Sequence, residues 1–400
     1  MNQPAHADRA HALLSASQAE RWINCPPSAR LTEHIPDRHS EYAEEGTAAH
    51  EYAEMLLRRQ LTVLKSEERN DLDKQIKMFK ETNQYYDAEM ESAITDYVEI
   101  VEERFLAAKS RSKDAIVLLE ERLDFSYLVP EGFGTGDVVI ISDGVLEIID
   151  LKYGKGVPVS AEGNPQMRLY ALGALDGFGW MYDIREIRMT IVQPRLDSIS
   201  TDVMDIESLR EWGESVVRPA AELAWEGKGE FKPGNHCRWC KVKATCRARA
   251  EENMKALEYE FQDPALLSLE EIGQILHIAE QLQAWAKDVQ EYAQAQAMKG
   301  EKVPGWKLVE GRSVRKIVDE SALLEKLDQA GFPEDSITEV KLLGISKLEK
   351  IVGKKQLAEI AGDLIVKPPG KPVLVPETDK RPELNSVESD FENENFDMED

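Results

Sequence analysis

The chain is 400 residues long, 42% hydrophobic and 31% charged, with a formal net charge of −26. That balance suits a soluble globular protein and argues against a generally sticky nucleic-acid binder, although binding depends on local patches. No apolar run approaches the roughly 20 residues of a spanning helix, so no membrane association is expected.

The length suggests two or three domains with ample material for a core. The opening MNQPAHADRAHALLSAS has no basic start followed by an apolar stretch, so a cytoplasmic protein is expected rather than a secreted one. In a reducing compartment, four cysteines point to metal binding or free thiols, not disulfides.

Residues 1–11 are polar and expected to be mobile. A short helix within 13–24 starts after Ser15 or Ser17 and is closed by Cys25-Pro26-Pro27. Gly46-Thr47 ahead of HEYAEMLLRR predicts a helix with Thr47 as N-cap and Ala49, Ala53, Met55 and Leu56 inward. Residues 66–112 read as mainly helical, and 115–125 as a strand. Two β-branched runs, 137–142 and 145–152, flank Asp143-Gly144 and predict a hairpin with positive φ at both turn residues.

Asn164-Pro165 opens a helix, with Asn as N-cap and Pro at the first helical position. Residues 186–195 form a further strand and 208–227 a helix. The order helix, three strands, helix, strand defines a mixed α/β core. Ser268-Leu-Glu-Glu271 is a capping box for a long amphipathic helix to about Lys299. Beyond it, 305–316 reads as a strand or extended arm. Two short helical segments separated by Gly331-Phe332-Pro333 follow, and Pro368-Pro-Gly-Lys-Pro372 ends the folded part.

The hairpin carries the chemistry. With a two-residue turn, Ser142 faces Val145 and Asp137 faces Asp150, and Lys152 projects from the same face as Asp150. Facing carboxylates repel, and the neighbouring side chains are almost all Val, Ile and Leu, as in a covered sheet. A divalent cation between the aspartates is the most economical explanation. Mg²⁺ or Mn²⁺ held there polarises a phosphodiester and lowers the pKa of a bound water, and a lysine beside it can orient that water. The plainer alternative is a salt bridge from Lys152 to Asp150 or Asp137 at the sheet rim.

Cys237-x2-Cys240-x5-Cys246 is a compact thiolate cluster, with Cys25 far upstream. Four thiolates suit a zinc site as well as an iron–sulfur cluster, and spacing alone does not separate them. Between Lys228 and Arg249 lie seven Lys/Arg and one acid, a candidate basic patch. Within it Trp239 can either stack on a nucleic-acid strand or pack over the cysteines.

Taken together, Gly136-Asp137, Asp150-Leu-Lys152 and Gln166-x3-Tyr170, after an upstream Gly46-Thr-x2-His50, resemble the motif series of RecB-like nucleases of the PD-(D/E)XK superfamily. SASQAERWINCPPSARL, EEGTAAHEYAE, DLKYGKG and NPQMRLYALGAL are similar to a phage and prophage branch of that group, over roughly residues 10–250. The resemblance implies a restriction-endonuclease-like α/β (α+β) core, a central mixed sheet flanked by helices, in a bacterial or phage-infected host cell. It implies a divalent-metal-dependent DNA exonuclease active on linear ends in phage recombination or replication.

By the same resemblance His50, Asp137 and Asp150 are metal ligands and Lys152 is the catalytic lysine. Gln166 and Tyr170 contact DNA or support the site, or else pack on the surface. Lys155 touches a phosphate or is a solvated turn residue. Cys25, Cys237, Cys240 and Cys246 would hold a [4Fe–4S] cluster, a mainly structural staple, with Zn²⁺ as the alternative.

The expected divisions are 1–255 for the nuclease core with its cysteine staple, 256–300 for a helical arm, 301–375 for a small accessory domain and 376–400 for a disordered acidic tail. That tail sets Phe391 and Phe396 among acids, and either solubilises the chain or docks on a single-strand-binding or annealing protein. A homo-oligomer is compatible with a processive exonuclease. The rival expectation is a non-catalytic DNA-binding or partner-recruiting scaffold that keeps the fold.

Overall fold

A computed structural model of the protein describes residues 12–36, 40–255, 268–307 and 309. The chain divides into two units, Met1–Tyr292 and Ala293–Asp400. The expectations for residues 1–11, for most of 305–316 and for everything beyond lie outside the described residues, including the accessory domain and the acidic tail.

The first unit is built on a five-stranded mixed sheet in the order β1-β2-β3-β4-β5. Its strands are β1 (Ile116–Asp124), β2 (Phe133–Ser142), β3 (Gly144–Leu151), β4 (Ile184–Gln193) and β5 (Ser198–Asp205). Neighbours are antiparallel except β3 and β4, which run parallel and are joined through a crossover helix. The edge strand β5 has no counterpart in the sequence expectation. Its SISTDVMD alternates half-buried and exposed side chains, so it lacks the continuous apolar run that marks a covered strand.

The hairpin register is the predicted one, with Ser142 opposite Val145 and Val138 opposite Ile149. The turn differs from expectation. Gly144 has φ 84, whereas among described non-glycine residues only Glu120, Glu131 and Asp197 have positive φ, so Asp143 does not. Contacts outside the hairpin shape the turn instead: Asp143 N–H donates to Ser112 Oγ at 3.0 Å and Gly144 N–H to the Asp183 carbonyl at 2.9 Å.

Helices cover both faces. In chain order they are α1 (Ala19–Asn24), α2 (Ser28–Thr32), α3 (Glu41–Leu61), α4 (Ser66–Thr82), α5 (Ala88–Arg111), α6 (Pro165–Phe178), α7 (Ile206–Trp212), α8 (Arg218–Glu226), α9 (Arg247–Met254) and α10 (Leu269–Met298). Trp22, Leu169, Leu172 and Leu209 from α1, α6 and α7 pack with Val139, Ile141, Leu146 and Ile148 on one face. Tyr52, Ile94 and Val101 from α3 and α5 pack with Val138, Ile140, Ile149 and Leu151 on the other. This two-sided burial is why both hairpin strands are apolar at almost every position.

The N-cap of helix α3 lies seven residues before the expected Thr47. Ser40 is the N-cap, its Oγ accepting from Ala43 N–H at 3.2 Å, and Thr47 lies inside the helix with its hydroxyl donating to the Ala43 carbonyl. Acids in the first turn favour the earlier start by complementing the helix dipole. Helix α6 begins where expected, with Asn164 Oδ1 accepting from the N–H groups of Gln166 (3.0 Å) and Met167 (3.3 Å). The expected capping box of α10 is present: Glu271 N–H donates to Ser268 Oγ, and Ser268 N–H to Glu271 Oε2.

Close packing couples the sheet to α6 at Gly134, where a Cβ would lie 2.5 Å from Cε1 of Tyr170. Gly134→Ala is expected to cost about 1–3 kcal/mol through overpacking. A urea midpoint equal to wild type would show that the Tyr170 ring yields freely.

Among the described residues, no helix is long and apolar enough to cross a membrane.

Candidate active site and metal centre

The hairpin, α6 and α3 bring six of the predicted residues together. Asp137 and Asp150 fall opposite each other one step beyond the Val138–Ile149 pair. His50 reaches Asp137 from α3, with Nδ1 at 3.3 Å from Oδ1, and the other Asp137 oxygen accepts from Leu151 N–H at 2.7 Å. Lys152 Nζ lies 2.8 Å from Asp150 Oδ2. Gln166 ties the group together by donating to Asp150 Oδ1 (3.1 Å) and the Tyr170 hydroxyl (3.2 Å) and accepting from Lys152 (3.2 Å). Gln166 and Tyr170 therefore stand four apart on the helix face that meets the acids.

These residues surround a cavity of about 210 Å³ that is also lined by Glu120. The sequence singles out neither Glu120, from β1, nor Tyr97, from α5, whose buried hydroxyl feels the charges of Asp137, Asp150 and Glu120. The only sequence hint of Glu120 is an acid interrupting the apolar run of AIVLLEERLDF. Tyr97 leaves none, since it follows the ordinary inward periodicity of α5.

Burial sets the charges against one another. It works to raise Asp137, yet the His50 imidazole, the Leu151 N–H and Lys152 hold that carboxyl below its usual range. For Asp150, burial and the charge of Asp137 prevail over Lys152, and the carboxyl is pushed up. Lys152 is raised because Asp150 outweighs burial.

Burial likewise opposes a charge on His50, but Asp137 outweighs it and the imidazole is pushed up to about 9. Because this value lies above the ordinary 6.5, the stabilisation is fully present below pH 6.5 and is lost as pH climbs through about 9. Metal-free protein is expected to lose a few kcal/mol across that window. His50→Gln should flatten the loss, and equal urea-midpoint slopes in the two proteins would refute the pairing.

The four cysteines line one small cavity together with Arg21 and Arg249. Cys25 is presented by a hook of two short helices, α1 and α2. Buried Arg21 closes the hook by donating to the Ser28 carbonyl (2.8 Å) and to the hydroxyls of Ser28 and Thr32 (both 3.1 Å). Cys237 and Cys240 lie in and just after a 3₁₀ turn, and Cys246 is the residue before α9. Burial pushes the Cys237 and Cys240 thiols up, and the positive Arg249 and Arg21 pull respectively the other way.

A groove of about 920 Å³ runs past His50 and Lys152 to Trp239 and Lys241. Trp239 is 67% exposed and lines this groove. Lys155 also lines the groove, where it pairs with Glu89 at 3.3 Å. The expected basic patch is partly neutralised by acids outside it. Lys243 and Arg249 both close on Asp288 of α10 (2.8 and 2.6 Å), and Lys228 pairs with Glu226.

Fold and site thus define an α/β protein with a largely enclosed acid–histidine–lysine centre and four cysteines that line a separate cavity. The chain belongs to the family described as protein of unknown function (DUF2800), which matches residues 11–382. A solved structure described as the crystal structure of SSO0001 shares 16% identity, covering 57% of this chain and 96% of that one with a TM-score of 0.21. That likeness is too slight to bear on fold or function.

Proposed function

We propose that this protein is a divalent-metal-dependent DNA exonuclease with a RecB-like PD-(D/E)XK core, acting on linear DNA ends in phage-type recombination or replication. The observation that carries the reading is the facing pair Asp137–Asp150, with His50 at 3.3 Å from the first and Lys152 at 2.8 Å from the second. The donors fit a hard cation, since carboxylates suit Mg²⁺ and Mn²⁺ and an imidazole is compatible with Mn²⁺. Asp150 Oδ2 is also buried and makes no well-directed hydrogen bond, although Lys152 lies beside it.

His50, Asp137 and Asp150 would hold the ion, which when bound supplies Lewis acidity toward the scissile phosphate. The chain's own work is positional. Asp150 and Gln166 fix the Lys152 ammonium as a point charge toward the cavity, where it can orient the attacking water and offset charge developing on phosphorus. The water oxygen bonds to phosphorus and gives up a proton to the surroundings, the bond to the leaving sugar oxygen breaks, and that oxygen takes up a proton from solvent to leave as a hydroxyl. The groove from this centre to exposed Trp239 suits a strand tracked by charge and stacking.

The four cysteines fit a [4Fe–4S] cluster, or Zn²⁺, that staples the N-terminal hook to the segment before α9. DNA is the partner this reading requires. A single-strand-binding or annealing protein on the acidic tail and a homo-oligomeric state remain parts of the proposal.

The decisive experiment is cleavage of end-labelled linear and closed circular DNA by anaerobically purified protein with Mg²⁺ or Mn²⁺. Degradation of linear DNA alone supports the exonuclease, and the label position gives polarity. The charge of −26 and the partly neutralised basic segment favour a second reading, a non-catalytic scaffold. Salt-sensitive DNA binding without cleavage, by protein with its cysteine cluster intact, would identify it.

A further inference from the structure

The two facing aspartates are part of a longer row. Leu119 pairs with Val138 and Glu121 with Gly136, so Glu120 falls opposite Asp137 on its other side. Glu120, Asp137 and Asp150 therefore stand abreast on three adjacent strands, β1, β2 and β3. Each opposed like-charge pair destabilises a sheet. Glu120 moreover adopts φ 51 within its strand, a left-handed conformation that costs a non-glycine residue roughly 1–2 kcal/mol. Its carboxylate is buried, and one of its oxygens, a His50 ring nitrogen and an Asp137 oxygen lie within 4.8 Å of one another. Asp150 is not part of that close set and is engaged by Lys152 and Gln166.

A second, independent observation points to a ligand. The Tyr97 hydroxyl, 1% exposed, lies within reach of the charges of Asp137, Asp150 and Glu120, yet has no hydrogen-bond partner. A buried hydroxyl left without a partner costs about 1–3 kcal/mol, and water bound to a cation at this site would donate to the hydroxyl oxygen.

We propose that Glu120 is a further direct ligand of the divalent cation, closing on it with His50 and Asp137, while Asp150 both contributes to the same centre and positions Lys152. The proposal rests on the cation centre of the nuclease reading, not on DNA cleavage itself. Carboxylates with one imidazole form a donor set suited to Mn²⁺, and the remaining positions would be open to water and a phosphate oxygen.

The test is a Mn²⁺ titration of the full chain, followed by the loss of the free-ion EPR signal, for wild type, Glu120→Gln, Glu120→Gly and Glu121→Gln. Glycine tolerates the backbone conformation at 120, so Glu120→Gly keeps the strand while removing the ligand. Both Glu120 variants are expected to bind Mn²⁺ at least about tenfold more weakly. Glu121→Gln should match wild type, and metal-free Glu120→Gly should melt no lower than wild type. Wild-type affinity in both Glu120 variants overturns the proposal while leaving the nuclease reading intact. No Mn²⁺ binding by wild type overturns both. Glu120-dependent binding without DNA cleavage supports the ligand assignment and removes only the nuclease.

Discussion

Asp150→Asn is expected to abolish metal-dependent cleavage of linear DNA, by at least about 10³-fold, or roughly 4 kcal/mol of transition-state stabilisation. Asparagine keeps the side-chain shape and can still meet Gln166, so the substitution isolates the charge. Two functions are lost together, a carboxylate at the cation centre and the partner that holds the Lys152 ammonium 2.8 Å away. Removing a group that acts through several partners costs more than a single hydrogen bond, because it also leaves the partly buried Lys152 without its counter-charge. Binding of DNA should persist, since Trp239 and Lys241 of the groove are untouched. Cleavage at wild-type rate by a folded variant would end the nuclease reading and leave the aspartates as structural salt-bridge partners.

The second large effect is expected at Cys25. If the four cysteines hold one metal group, Cys25→Ser should reduce the bound metal, abolish any visible absorption it gives, and lower the melting temperature by roughly 10 °C. If one metal group joins Cys25 to Cys237, Cys240 and Cys246, it cross-links segments about 210 residues apart in the chain. A covalent link closing a loop of 100 residues stabilises by about 4.7 kcal/mol, and longer loops add little more. The hook of α1 and α2 has Arg21 and Trp22 to hold it, so the expected result is loosening of this hook, not global unfolding. Metal analysis of the wild-type protein decides between iron with sulfide and zinc. Full metal content and an unshifted melting temperature in Cys25→Ser would show that the upstream cysteine is not a ligand.

The parts of this protein that its sequence determined are those governed by neighbours along the chain. Asp143-Gly144 between two β-branched runs is enough to set the hairpin register, because strand side chains alternate and a one-residue slip would turn every apolar side chain outward. Once that register holds, Asp137 must face Asp150, and Lys152 must follow on the same face. The same local logic places Asn164 as the cap of α6 and Ser268 as that of α10, where a single side chain satisfies the free N–H groups of the first turn.

Tertiary structure decided what depends on distant segments. Thr47 reads locally as a cap, but Ser40 and the acids after it carry the helix start further back. Strand β5 is an edge paired only with β4, so its alternating polar side chains resemble a loop until the partner strand is present. His50 reaches Asp137 across 87 positions because α3 packs on the sheet, and no local rule foretells that contact. Glu120 is the clearest case. Its rotation into the cavity follows from a left-handed backbone in the middle of a strand, which sequence propensities disfavour and only the surrounding fold can hold in place.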